Sequence, residues 1–293
     1  MTLNRKEQKR LMVLNEVGRG GVTGVGASRL LGISVRHVRR LLSAYRKEGA
    51  SALAHGNRGR RPPNAVEVGL RKRVLELAQS RYMGCNTQHL TELLEEREGI
   101  AVSRSSVRRI LLEAGIKSPR KRRAPKHRSR RGRYPQPGML VQIDGSQHDW
   151  LEGRGMSMTL LGAIDDATGE VLHALFREQE DAQGYFLLLQ RIVMSHGIPV
   201  ALYHDRHGIF ERPDVEPETL EEQLRGRREP TQFGRAMEEL GITSISSHSP
   251  QGRGRIERLW GTFQDRLVSE LRLAGTRTLE EANQVLWEYL PRH

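Results

Sequence analysis

Three acidic residues in the second half of the chain stand where a carboxylate can take part in chemistry. Asp144 ends the apolar run from Met139 to Ile143, and Asp205 ends a second such run from Val200 to His204. Glu257 falls in the first turn of a segment that carries Ile256, Trp260, Phe263 and Leu267 at helical spacing. Carboxylate oxygens suit a hard divalent cation such as Mg²⁺ better than His or Cys does. Taken singly, each residue has an ordinary reading: an Asp at a strand end forms turns, and a Glu in a first helical turn complements the helix dipole. Asp165 and Asp166, followed by Ala167-Thr168-Gly169, read as turn residues. His148, His204 and His207 read as satisfied or exposed histidines, and Asp149 and Glu152 carry a weaker signal still.

The charge distribution names a partner. The 293-residue chain carries a net +13, with +22 on residues 1–135 and −9 on residues 136–293. Clustered Lys and Arg release counterions from phosphates, so the first half is built for nucleic acid and the second concentrates carboxylates. A membrane surface also attracts positive charge, but no helix with a broad apolar face is evident. No apolar run of about 18 residues is present, and the first residues lack the apolar stretch of a signal peptide. The expected location is cytoplasmic. Cys85 is the only cysteine, which excludes an intrachain disulfide and a zinc site built on two or more cysteines; it reads as a small buried apolar residue.

The elements that must present these groups follow from periodicity and caps. Residues 4–17 predict a helix with Leu11, Leu14 and Val17 on one side, then a glycine-rich turn over 18–26 and a short helix over 27–31. Gly32 breaks that helix and Ser34 caps the next, 35–48, whose apolar stripe is Val35, Val38, Leu41, Leu42 and Tyr45. This is a helix-turn-helix order, and Arg36, His37, Arg39 and Arg40 fall on the faces where a recognition helix meets DNA. The pattern repeats: a helix over 66–80, one capped by Thr87 to about 98, and one capped by Ser103 over 104–114. The last leaves Arg104, Ser105, Arg108 and Arg109 for contact; a plain helical bundle with solvated arginines is the competing reading. Residues 57–65 read as a Gly/Pro/Arg linker. Residues 117–133 hold ten basic residues and no acidic one, which predicts a flexible tether within a 117–135 linker, ordered on phosphates.

Beyond residue 136 the texture is strands. Runs at 139–144, 156–164 and 170–176 with short turns predict an antiparallel meander. A helix over 182–196, a strand over 200–205, a helix over 231–240, a strand over 242–245 and a long helix over 254–271 complete an α/β layered arrangement. The domains expected are a helix-turn-helix domain at 1–56, a second at 66–116, an α/β core at 136–275 and the start of a C-terminal region at 276–293.

That order and several motifs resemble the DDE integrase and transposase superfamily, whose core has the ribonuclease H-like fold. The matching residues are Gln142-Ile143-Asp144-Gly145-Ser146, His148-Asp149-Trp150, Ile164 to Gly169, Tyr203-His204-Asp205, Thr231 to Arg235, Ser249 to Arg258 and Thr262 to Leu267. The likeness covers nearly the whole chain and is strongest to ISNCY-type bacterial insertion-sequence transposases. It implies a DNA transposase that cleaves and joins insertion-element ends, with Asp144, Asp205 and Glu257 as the three catalytic carboxylates. It implies two Mg²⁺ ions, for which Mn²⁺ can substitute: Asp144 bridges both, Asp205 binds one and Glu257 the other. Two ions about 3.5–4 Å apart activate the attacking oxygen and stabilise the leaving one. Arg253, Arg255 and Arg258 would grip DNA phosphates near the metals. The partners implied are double-stranded DNA, as terminal repeats and target, and further copies of the chain; the place is the bacterial nucleoid. No small-molecule substrate or membrane is expected.

One departure concerns spacing. Fifty-one residues separate Asp205 from Glu257, more than the family commonly has, and the surplus reads as a surface insertion at 211–229. Relatives also continue past the point corresponding to 293, so the expectation is a C-terminally truncated product, inactive if the missing part is required. Two alternatives stand beside the enzyme: a transposase-derived DNA-binding regulator, and a structure-directed nuclease of the same fold without joining activity.

Overall fold

Asn4 starts the first helix by a reciprocal cap. Its side chain accepts from the Lys6 and Glu7 amides while the Glu7 carboxylate accepts from the Asn4 amide at 2.8 Å. The computed structural model describes residues 3–55, 57, 65–119, 132–212, 219–225, 228–247 and 253–292. It divides into two units, Met1–Val66 and Glu67–His293. The linker read at 57–65 and the basic run at 117–133 lie mostly outside the described residues, as does the Ser249 to Gly252 part of the quoted motif.

The first unit is three helices, α1 (Arg5–Gly18), α2 (Gly24–Leu31) and α3 (Val35–Glu48), closed by a 3-10 turn at Gly49–Leu53. Gly32 sits at φ +65°, left-handed space that favours glycine, and ends α2. Two residues later the Ser34 hydroxyl accepts from the His37 amide at 3.2 Å and starts α3. Leu14, Ala27, Val38 and Leu53 are fully buried at the centre, and the Tyr45 hydroxyl donates to Asn15 Oδ1 across the core at 2.7 Å. Arg36, Arg39 and Arg40 are exposed on α3 and His37 is half-buried. The helix–glycine–helix expectation is met.

The second unit opens with α4 (Val68–Gln79), α5 (Thr87–Glu98) and α6 (Arg104–Glu113). Asn86, not Thr87, caps α5: its side-chain oxygen accepts from the amides of Gln88 and His89, and its amide donates to Asp265 at 2.7 Å. Ser103 caps α6 as expected, and Arg104, Ser105, Arg108 and Arg109 are exposed on it.

The sheet comprises β1 (Val141–His148), β2 (Met158–Asp165), β3 (Val171–Arg177), β4 (Ala201–His204) and β5 (Thr243–Ser246) in the order β3-β2-β1-β4-β5. β1, β2 and β3 are antiparallel, whereas β4 and β5 run parallel to β1. Such a reversal needs a crossover, supplied by α7 (Ala182–His196) between β3 and β4 and by α9 (Gln232–Glu239) between β4 and β5. This strand order is that of the ribonuclease H-like fold. Every residue of β2 is buried because helices cover both faces. On one side Leu161, Ala163 and Ile143 pack under α7 and α9. On the other, Met158, Leu160 and Phe176 pack under α10 (Ile256–Leu273) and α11 (Leu279–Tyr289).

One expectation needs correction. The core does not stop near 275, because Ala282, Leu286 and Tyr289 of α11 are buried in it and Asn283 hydrogen-bonds both the amide and the carbonyl of Phe176. The described part of 211–229, expected as a surface insertion, carries a short helix, α8 (Leu220–Arg225), with Leu220 and Leu224 exposed and a buried Glu222 that accepts from the Thr219 and Glu229 amides. No helix among the described residues is long and apolar enough to cross a membrane.

Candidate active site

β1 and α10 build the site between them. Gln142, Asp144 and Ser146 alternate along β1, so they share one face. Each meets α10: Gln142 Oε1 accepts from the Ile256 amide at 3.4 Å, Asp144 Oδ2 from Trp260 Nε1 at 2.9 Å, and Ser146 Oγ from Gln264 Nε2 at 3.2 Å. Two strand residues advance about 6.6 Å and four helix residues about 6 Å, so the two repeats stay in step. The alternate residues Val141 and Ile143 point into the opposite core. Asp144 therefore lies inside β1, opposite Gly162 on β2, and not at a strand end as its sequence suggested. Hydropathy stops at Asp144 because the strand's next outward positions are polar, yet the ladder continues to His148.

The foot of α10 is fixed below the site. Asp166 is fully buried, accepts from Gln142 Nε2 at 2.9 Å and pairs with Arg255 at 2.6 Å. Asp165 accepts from the Gly138 and Thr168 amides. Both aspartates lie at the turn that the sequence predicts, and they also organise a buried junction.

Asp205 follows β4 directly and so arrives beside β1, the strand parallel to it. Arg253, just before α10, joins the two: its Nη1 lies 3.0 Å from Asp144 Oδ1 and 3.5 Å from Asp205 Oδ2. Burial pushes the Asp144 carboxyl up to about 6; the Trp260 and Arg253 donors hold it down, and the charges of Asp205 and Glu180 push it further up. Glu257 is exposed in the first turn of α10, four residues after Arg253 and three before Trp260. Its carboxylate has no hydrogen bond or ion pair with a described residue. Among the described residues no group of three or more His, Cys, Asp or Glu is arranged as a metal site. The structure thus brings Asp144 and Asp205 together and leaves Glu257 on the adjoining helical turn.

The remaining candidates separate by environment. His204 is fully buried between the Asp205 carbonyl and Ser244, stacked on Phe210, and its pKa is pushed down by burial. The His207 amide donates to Asp205 Oδ1 at 3.1 Å, and His148 packs edge-on against Trp150. Arg253 and Arg255 are engaged with carboxylates, whereas Arg258 is exposed. Sequence reasoning missed Glu180. Its carboxyl oxygens stand 2.6 and 2.8 Å from where a Cβ on Gly145 would be, and Tyr185 donates to its Oε1 at 2.5 Å. The one available signal was a glycine inside a strand, which often marks a close approach.

The helical part of this unit is fastened to the same α10. Buried Glu270 accepts from Arg97 at 2.5 Å and contacts His89 Nε2 at 2.8 Å, while Arg266 pairs with Glu92.

Comparison with known proteins agrees with this architecture. Residues 9–62 match the family described as helix-turn-helix domain, and residues 37–111 the family described as homeodomain-like domain. The transposase for insertion sequence IS1202 of Streptococcus pneumoniae is 34% identical over 97% of this chain and 67% of its own length. The y4bF protein of Sinorhizobium fredii, named as a transposase, is 37% identical over 100% of this chain and 62% of its own. The chain therefore spans about two thirds of the length of these relatives. Among solved structures, the HTLV-2 integrase catalytic core domain in complex with magnesium is 15% identical over 52% of this chain and 84% of that one, at a TM-score of 0.37. A simian T-cell lymphotropic virus intasome chain is 16% identical over 73% and 67%, at 0.39. The strand order, not these scores, identifies the fold. With the IS1202 relative matched along two thirds of its length and helix-turn-helix domains ahead of a ribonuclease H-like sheet, the chain belongs to the family of insertion-sequence transposases.

Proposed function

We propose that this chain cleaves and joins DNA at insertion-element ends, using divalent metal held by Asp144, Asp205 and Glu257. The observation that carries the reading is the Arg253 guanidinium shared by Asp144 and Asp205, since one cationic group already sits between carboxylates from neighbouring strands. That donor set is all oxygen and suits a hard cation, which would offset the burial, and behind it the Asp205 charge, that make Asp144 hard to ionise. Mg²⁺, or Mn²⁺ in its place, supplies an activated oxygen nucleophile and stabilises the departing oxygen when bound. Two such ions are proposed, and Asp144, Asp205 and Glu257 would hold them.

The protein's own groups position the reaction. Trp260 holds Asp144 by its indole N–H from α10, and Gly162 on β2 leaves room for that ring. Glu257 completes the set by turning its side chain from the same helical turn. DNA phosphates draw on Arg253 and Arg258, and on the exposed arginines of α3 and α6, with Arg36, His37, Arg39 and Arg40 and then Arg104, Ser105, Arg108 and Arg109 reading the terminal repeats. Arg255, held on Asp166, steadies the helix that carries Glu257. The working form is a multimer on double-stranded DNA.

The test is incubation with the element's end DNA and Mg²⁺, comparing wild type with Asp144→Asn. Loss of cleavage and strand transfer in the variant is expected, and equal products from both proteins would overturn the assignment.

A further inference from the structure

α10 begins without a cap of its own. Arg255 stands at its N-cap position and its side chain accepts nothing from the first turn, although first-turn amides need partners from outside the helix. The Ile256 amide reaches across to β1 and donates to Gln142 Oε1 at 3.4 Å. Gln142 is fully buried, and its Nε2 donates to Asp166 Oδ1 at 2.9 Å. The same oxygen accepts from Arg255 Nη1 at 2.6 Å. Asp166, Gln142, Ile256 and Arg255 thus close a ring of hydrogen bonds between strand, turn and helix.

The ring stands two residues ahead of each of two proposed catalytic positions. Gln142 precedes Asp144 on β1, and Arg255 precedes Glu257 on α10. Asp166 is itself held on the chain that enters the sheet. Its amide donates to the Leu140 carbonyl at 2.9 Å, and its Oδ2 accepts from the Tyr134 amide at 3.0 Å. Arg133 Nη1 donates to the Ala167 and Thr168 carbonyls of the same turn. A buried ion pair is a costly way to start a helix, because both charges leave water. A Ser or Asn at the N-cap would satisfy the same amides at less cost. What the ring adds is placement: a planar guanidinium and a carboxamide, both referred to one carboxylate, set the height and the rotation of the first turn against β1.

We propose that Asp166 and Gln142 are positioning residues for the DNA cleavage proposed above. They fix the first turn of α10 against β1, so that Glu257 needs a side-chain rotation and no backbone shift to join Asp144 and Asp205. The inference rests on the reading of those three residues as the working carboxylates.

Two variants of the full chain test it. Gln142→Met keeps the length of the side chain, removes no charge and opens the ring. Asp166→Asn weakens its centre; if that variant does not fold, Gln142→Met carries the test. Hydrogen exchange at the amides of 256–259 should quicken by about tenfold, the size of one lost hydrogen bond in a buried setting, with the amides of α7 unchanged. The single-turnover cleavage rate with saturating end DNA and Mg²⁺ should fall by about tenfold or more, since small misplacements of reacting groups are costly. Affinity for the DNA should match wild type. A merely structural role would lower the fraction of active protein and leave the rate of the active molecules unchanged. Unchanged exchange at 256–259, or faster exchange with a wild-type rate, overturns this proposal alone. If wild type and Asp144→Asn give the same products, or neither cleaves, the reading of the carboxylates fails and this proposal falls with it.

Discussion

Asp144 should cost the fold stability that its neighbours supply to the site. Its carboxyl is pushed up to about 6 from an ordinary 3.8, burial being the first cause. An acid with a raised folded pKa stabilises the fold when protonated. That contribution is fully present below about pH 4 and is lost as the pH rises through about 6. The difference of about two units corresponds to about 3 kcal/mol. Asp144→Asn mimics the protonated form at every pH. In chelator-containing buffer at pH 8 the variant should therefore be more stable than wild type by up to about 3 kcal/mol, or about 6–12 °C for a unit of this size. Near pH 4 the two should melt together. Differential scanning calorimetry at both pH values measures this. A variant no more stable than wild type at pH 8, or a gap of the same size at both, would refute the reasoning that Asp144 is held ionised against its surroundings.

Other consequences follow from single contacts. A Cβ at Gly162 would stand 2.6 Å from the Trp260 ring, so Gly162→Ala should push the indole off Asp144 and cost about 1–3 kcal/mol in urea unfolding; an unchanged midpoint would mean the ring is free to shift. Glu270→Ala strips the buried His89 of its carboxylate and should cost about 3–5 kcal/mol, read as an earlier unfolding transition of α4, α5 and α6 by hydrogen exchange. Replacing Arg36, Arg39 and Arg40 together by Ala should lower the slope of log K against log salt by up to about 3 on end DNA, and an undiminished slope would remove α3 from the interface.

Much of this arrangement is legible in the chain because its signals are local. Gly32 and Ser34 mark the start of α3 at 35–48, as read from breaker and cap, and the apolar spacing over 182–196 marks α7, which the structure caps with Asp181. The runs around Val141, Leu161 and Leu202 mark the three central strands. What escaped the sequence is pairwise and distant. Asp144 looked like a strand end because Gln142, Asp144 and Ser146 turn their polar groups to α10, and hydropathy does not distinguish that face from a turn. Arg253 was read as a phosphate contact, and nothing in its neighbours reveals that the fold seats it between Asp144 and Asp205. Glu180 gave no sign of its place except through Gly145, thirty-five positions earlier. The packing of α11 on β3 was missed because Trp287 and Asn283 meet backbone atoms of Ala174 and Phe176, and backbone partners leave no mark in composition.

The central claim is that Asp144, Asp205 and Glu257 meet around one cation site. Crystals soaked in MnCl₂ and measured for anomalous scattering test it directly. Peaks are expected within about 2.0–2.2 Å of the Asp144 carboxylate oxygens, a distance set by hard-cation coordination, with an Asp205 oxygen on one ion and a Glu257 oxygen on the other. A peak away from Asp144, or one with Glu257 still turned to solvent, would contradict it.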